Sequence, residues 1–183
     1  MYKPSPFWEI ATLVVGEEVP GVTFSVFIGD GDDAAENGYY FGLQRFLNEY
    51  PDDQNVRNGT DSYCVVNESG GVHYGGLRGV SFAPDLLVLS FNEEAAEVLG
   101  LPSAVVPLGI SSGVDLDELR AGLHRVLTYG NPQKFPRLNL GLAGLGERWE
   151  WADNSRGGPS HRRPLRRRLS EETTRINANP FGG

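Results

Sequence analysis

SYCVVNESGGVHYGGLRGVSFAPDLLVLSFNEEAAEVLGLPSAVVPL, residues 62–108, is the stretch that decides the fold. β-branched and aromatic residues fall in short runs separated by Gly, Pro, Asn and Ser. SYCVVN (62–67) and VHYGG (72–76) read as a hairpin, since the Gly pair in the turn Glu68–Gly71 supplies the positive φ angles that tight turns need. LRGVSF (77–82) and DLLVLSF (85–91) are two further strands, with Ala83-Pro84 between them. Asn92 then caps a short helix, EEAAEVL, with Glu93 and Glu94 in its first turn and Gly100 just past its end. SAVVPLGI (103–110) is a strand whose Pro107, lacking an N–H, predicts an edge or a bulge.

On the N-terminal side, FWEIATLVV (7–15) is rich in strand formers, and Gly16 and Pro20-Gly21 supply a turn. In VTFSVFI (22–28), Val22, Phe24, Val26 and Ile28 lie on one face and Thr23, Ser25 and Phe27 on the other. GDGDDAAENG (29–38) is an acidic loop, and PDDQNVRNGTD (51–61) is a polar one. Between them, Tyr39 to Phe46 is aromatic-rich and compatible with a strand running into a short helical turn, a reading the pattern alone leaves open. On the C-terminal side a helix is expected from about 116 to 128. Asp115 caps it, Glu118 follows three residues later, and Leu116, Leu119, Leu123, Val126 and Leu127 form one apolar stripe. The fold class is therefore α+β: one mainly antiparallel sheet of about six to eight strands with one long and one short helix, the longer packed on one face.

Gly130-Asn131-Pro132 ends the helix, and beyond it the periodic apolar pattern stops. An acidic α+β domain is expected over residues 1–131. A disordered Gly/Pro/Arg-rich tail is expected over 132–183, with a basic run, RRPLRRRLS, at 162–170 and Trp149 and Trp151 as its aromatic residues. Charge divides at nearly the same place. Residues 1–140 hold 19 Asp and Glu against 8 Lys and Arg, a net −11, and the remainder holds 5 acids against 8 Arg, a net +3. An acidic body repels nucleic acid and anionic membranes and attracts cationic partners.

The single cysteine, Cys64, excludes an internal disulfide and a thiolate metal site. The start, MYKPSPFWEIATLVVGEE, lacks the basic start, unbroken apolar core and cleavage site of a signal peptide, and no apolar run is long enough to span a bilayer. A cytoplasmic location is expected, and the sequons at Asn58 and Asn67 then read as turn residues.

Few motifs carry chemistry. Gly109-Ile110-Ser111-Ser112-Gly113 matches the G-x-S-x-G nucleophile elbow of hydrolases. However, the acids and histidine that follow Ser111 (Asp115, Asp117 and His124) crowd onto one helix and do not arrive from separate strands. Asp30, Asp32, Asp33 and Glu36 resemble the start of a calcium loop, but the sixth and twelfth positions, which need Gly and Glu, are Ala35 and Phe41. His73, His124 and His161 lie far apart, and GGVHYGG has no strand–loop–helix setting for phosphate. Neither a metal nor a cofactor is expected, and no reaction is legible. The acidic loop reads instead as a docking element, with Asp30, Asp32, Asp33 and Glu36 steering a basic partner and Tyr39 and Tyr40 as anchors. Phe41 suits a strand core equally well.

The stretch from about Val22 to Leu127 resembles the immunity protein 10 family of bacterial polymorphic toxin systems. The blocks that carry the likeness are FSVFIGDGDD, NGYYFGLQRF, SYCVVNESGGVHYGGLRGVSF, DLLVLSFNEEAAEVLGLPSAVVPL and DLDELRAGLHRVL. The resemblance implies a protein that sits beside a toxin gene and protects the producing cell by binding the toxin, with no catalytic residues to carry over. The expectation is thus a cytoplasmic binding protein for a cognate protein toxin. A basic nuclease suits the acidic body as such a toxin. A small hydrolase built on Ser111 and an acidic decoy mimicking nucleic acid are the alternatives; the oligomeric state is open.

Overall fold

The computed structural model describes residues 6–141. The expected α+β class holds, but the strands divide into two five-stranded sheets where one was expected. The first sheet has the order β1-β9-β8-β7-β10, with β1 Glu9–Ile10, β7 Leu77–Ala83, β8 Leu86–Phe91, β9 Val105–Ile110 and β10 Arg137–Asn139. The second has the order β2-β3-β4-β5-β6, with β2 Thr12–Val19, β3 Thr23–Gly29, β4 Tyr40–Phe46, β5 Cys64–Asn67 and β6 Val72–Tyr74. The chain crosses from one sheet to the other within a single residue, Ala11, whose N–H donates to Gly29.

All pairs in the second sheet are antiparallel, and the β5–β6 hairpin forms as read. In β3 the alternation is realised: Phe24, Val26 and Ile28 are buried, while Thr23, Ser25 and Phe27 are only half-buried on the opposite face. Val22 lies before the strand and is exposed. Of the segment 39–46, Tyr40–Phe46 forms the strand β4 throughout, without the helical turn. In the first sheet, β9 is not the edge that Pro107 suggested. The two-residue β1 runs parallel beside its end, and the Pro107 carbonyl accepts from Phe7 N at 2.8 Å on that outer side. The missing N–H therefore falls where only a stub of strand follows.

Among the described residues four α-helices accompany the sheets. α1 is Ala34–Asn37 and α2 is Asp53–Asn58. The latter lies in the stretch read as a polar loop. None of its residues is buried; Asp52 caps its start and Gly59, at φ 72°, ends it. α3 (Glu93–Val98) and α4 (Leu116–Leu127) carry the expected caps, with Asn92 accepting from Ala95 N and Asp115 from the N–H groups of Asp117 and Glu118. The stripe of α4 buries Leu119, Leu123, Val126 and Leu127, while Leu116 at its start stays exposed. The helix lies on the inner face of the second sheet. An added Cβ at Gly122 would stand 2.8 Å from Val26 Cγ2 and 3.1 Å from Val15 Cγ1. β-branched side chains cannot swing aside cheaply. Gly122→Val is expected to cost about 2 kcal/mol through overpacking, read as a lower urea midpoint at unchanged slope.

The described residues continue past 131, the boundary that composition suggested. Pro132–Lys134 forms a 3₁₀ turn, and β10 pairs in parallel with β7, Leu138 opposite Val80. Leu140 is buried. The turn is clasped from below: Lys134 Nζ and Asn131 Nδ2 both donate to the buried Asp61 carboxylate. Lys134, foremost through its hydrogen bond, holds that carboxyl below its ordinary range. Gly130, at φ 81°, leaves no room for a side chain against the Asp61 carbonyl. The rest of the expected tail, including Trp149, Trp151 and the basic run, lies outside the described residues.

Candidate functional site

The outer face of the second sheet is the most distinctive surface. Register aligns Val14, Phe27, Gly42, Val66 and Val72 in one row across all five strands. Rows on either side hold Thr12, Gly29 and Tyr40, and Gly16, Ser25, Gln44, Cys64 and Tyr74. Small residues keep the middle of this face flat. Gly42 is required there, because a Cβ would come within 2.8 Å of Val66 Cγ2. Above that floor the Phe27 and Tyr40 rings stack with centroids 5.2 Å apart. Val14 remains 44 % exposed, a large apolar side chain that folding leaves in water.

The acidic loop forms the rim of this face, since it leaves from the end of β3 and returns at the start of β4. Asp32, Asp33 and Glu36 are exposed, and Asp30 is half-buried. Ala34 is the buried anchor of the loop. Thr12 Oγ1 donates to Asp32 Oδ1 at 3.1 Å, tying the loop to β2. Asp30 lies so close over Gly38 that a side chain there would strike its carboxylate. The three successive aromatics take three different places. Tyr39 is 54 % exposed at the loop exit, Tyr40 lies on the outer face, and Phe41 is buried between Trp8 and Phe91. The structure therefore gathers Asp30, Asp32, Asp33, Glu36, Tyr39 and Tyr40 at one end of the sheet.

Phe27, Val14 and Glu68 join this group without having been singled out in the sequence. Glu68 Oε2 accepts from Tyr40 N at 3.4 Å and extends the acidic rim. The signal for Phe27 was present in the alternation of β3, which put it opposite the core face. Its partner Tyr40 could be assigned only once the pairing of β3 with β4 was known.

The weaker motifs do not assemble. The Asp115 carboxylate is used in capping α4, and His124 is exposed on the same helix. Among the described residues no hydrogen bond joins Ser111 to an aspartate or to His124, and no group of three or more His, Cys, Asp or Glu is placed to hold a metal ion. No helix among them is long and apolar enough to cross a membrane.

Cys64 lies under the outer face, and burial pushes its thiol up to about 12; burial likewise raises the Tyr74 phenol to about 12. A protonated, enclosed thiol is a poor nucleophile. Cys64 is therefore expected to resist Ellman's reagent in the native protein at about pH 8 and to react stoichiometrically in denaturant. Rapid native labelling would show that the sheet opens locally.

Similarity to known proteins adds an independent line. No curated protein and no solved structure matches the chain. A family model described as Immunity protein 10 matches residues 11–115. That span includes the entire second sheet, the acidic rim and strands β7 to β9, and it stops at the cap of α4. Since the match covers more than half of the sequence and the whole candidate surface, the chain belongs to the immunity protein 10 family.

Proposed function

We propose that this protein neutralises a cognate bacterial toxin by binding it through the outer face of the second sheet and its acidic rim, acting in the cytoplasm and without catalysis. The observation that carries the reading is one juxtaposition: a stacked Phe27–Tyr40 pair on a flat sheet face, edged by Asp30, Asp32, Asp33 and Glu36. Aromatic side chains on a flat floor provide contact area at low conformational cost, the usual anchor of a protein interface. Carboxylates at the rim raise the encounter rate and orient a basic partner. A toxin that acts on nucleic acid carries cationic groups for phosphate, so a nuclease domain is the partner class that this surface suits best. Inhibition then follows from occlusion of the toxin's own basic site.

Co-expression tests the proposal. The toxic C-terminal domain encoded beside this gene should arrest growth when expressed alone and should be tolerated when this protein is present. Arrest that persists with both proteins produced in soluble form would reject the reading.

A further inference from the structure

A second surface has the opposite charge. The described residues contain seven Lys and Arg, and five of them are engaged within the fold. Arg45, Arg120 and Arg125 lie over the rings of Tyr129, Phe82 and Phe24. Arg57 bonds the Asp53 carbonyl, and Lys134 pairs with Asp61. The Arg78 and Arg137 side chains are exposed and make no hydrogen bond, ion pair or ring contact among the described residues. Both line the same open cleft of about 1150 Å³, together with Lys134 and His73. The His73 Nδ1 is buried and lacks a hydrogen-bond partner.

The backbone brings these two arginines together in a specific way. Parallel pairing sets Arg137 opposite Gly79, the residue after Arg78. The β7–β8 register slips between Leu77 and Gly79, so Arg78 is the extra residue of a bulge. A bulge re-aims a side chain that regular alternation would have sent elsewhere. Two like charges on neighbouring strands work against folding, and among the described residues neither arginine is paired with a carboxylate. Glu94 is the one acid lining the cleft, and Phe135, Tyr74 and Val98 give it an apolar wall.

We propose that this cleft binds an acidic peptide segment of a partner protein, its carboxylates received by the Arg78 and Arg137 guanidiniums and its apolar side chains by the Phe135 wall. Guanidiniums form paired, charge-assisted hydrogen bonds to carboxylates. Carboxylates also fit better than a polyphosphate chain here. The body around the cleft is strongly acidic, which repels extended polyanions while a short segment reaches the arginines locally. The site is built from different elements than the acidic rim and stands independently of which toxin docks there.

The test uses the full-length chain and three fluorescein-labelled probes at low salt: an eight-residue Glu/Val peptide, its Lys/Val counterpart and an eight-nucleotide single strand of DNA. The Glu/Val peptide is expected to bind at least about tenfold tighter than the other two, shifting the amide resonances of Tyr74–Arg78 and Lys134–Arg137. Replacing both arginines (Arg78→Gln with Arg137→Gln) is expected to weaken binding by about tenfold or more. Both side chains are exposed, so the fold should survive. Glu94→Gln removes the one like charge and is expected to tighten binding severalfold. Three results would each overturn the proposal: no binding of the Glu/Val peptide, equal binding by the double variant (which would place the peptide on the basic run at 162–170), or tighter binding of the DNA.

Discussion

A chain ending at Asn131 is expected to be far less stable than one ending at Gly141. The ten residues between these ends are short but heavily used. Their loss strips β10 from the edge of β7 and removes the Leu140 side chain, whose burial is worth about 2–3 kcal/mol. Lys134 goes as well, leaving the Asp61 carboxylate with Asn131 alone; losing a charge-assisted hydrogen bond in this part-exposed pair costs about 2 kcal/mol. The Tyr63 hydroxyl, itself buried, also loses the Lys134 carbonyl as an acceptor. These losses together reach about 5 kcal/mol, comparable with the whole stability of an ordinary domain. A drop in melting temperature of at least about 15 °C, or loss of a cooperative transition, is expected by circular dichroism. A melting curve for the 131 chain that overlays the full-length one would show that β10 and the clasp contribute nothing.

The clasp has its own pH signature. The folded Asp61 carboxyl titrates below its ordinary value, chiefly because Lys134 bonds it. Its contribution is therefore complete above the unfolded carboxylate pKa of about 4 and is lost as pH falls through the lower folded value. Lys134→Met should destabilise the protein at neutral pH, and the gap to wild type should close in strong acid.

The second large effect concerns partner docking. Replacing Asp30, Asp32 and Asp33 by Asn and Glu36 by Gln keeps side-chain shape while removing four charges. The near-isosteric Asn at 32 can still accept from Thr12, and that at 30 still packs over Gly38. The loop should stay folded and only its field should change. Association with the toxin is expected to slow by about tenfold or more at low salt, with a smaller difference at high salt, where the field is screened. Tyr39→Ala should act on the other rate, speeding dissociation by about tenfold, because an exposed aromatic contributes through contact made after encounter. An unchanged association rate for the quadruple variant at both salt levels would reduce the loop to a solvated turn.

The sequence displayed whatever a local pattern can encode. The alternation of β3 apart from Val22, the β5–β6 hairpin, the caps Asn92 and Asp115 and the stripe of α4 apart from Leu116 read correctly, because each depends on a few neighbouring residues. Elements held by distant partners did not show. α2 has no buried residue, so no apolar period marks it, and it is fixed by Asp52 and Gly59 at its ends. β10 is three residues long and exists because the β7 edge accepts it. The division into two sheets depends on which strands pair, and strand patterns alone do not specify that. The same limit applies to the proposed docking surface. The acids and tyrosines of 29–40 stood out as a run, whereas Phe27, Val14 and Glu68 joined them only through register. The basic cleft was invisible for the same reason, since Arg78 and Arg137 lie far apart in sequence.

The most direct test is to titrate the purified protein into the candidate toxin domain that the proposed function calls for, following heat and residual toxin activity together. Neutralisation by binding requires a saturable one-to-one complex with a dissociation constant in about the nanomolar range, and toxin activity that vanishes at stoichiometry. Absence of binding, or a complex in which the toxin remains fully active, would contradict it.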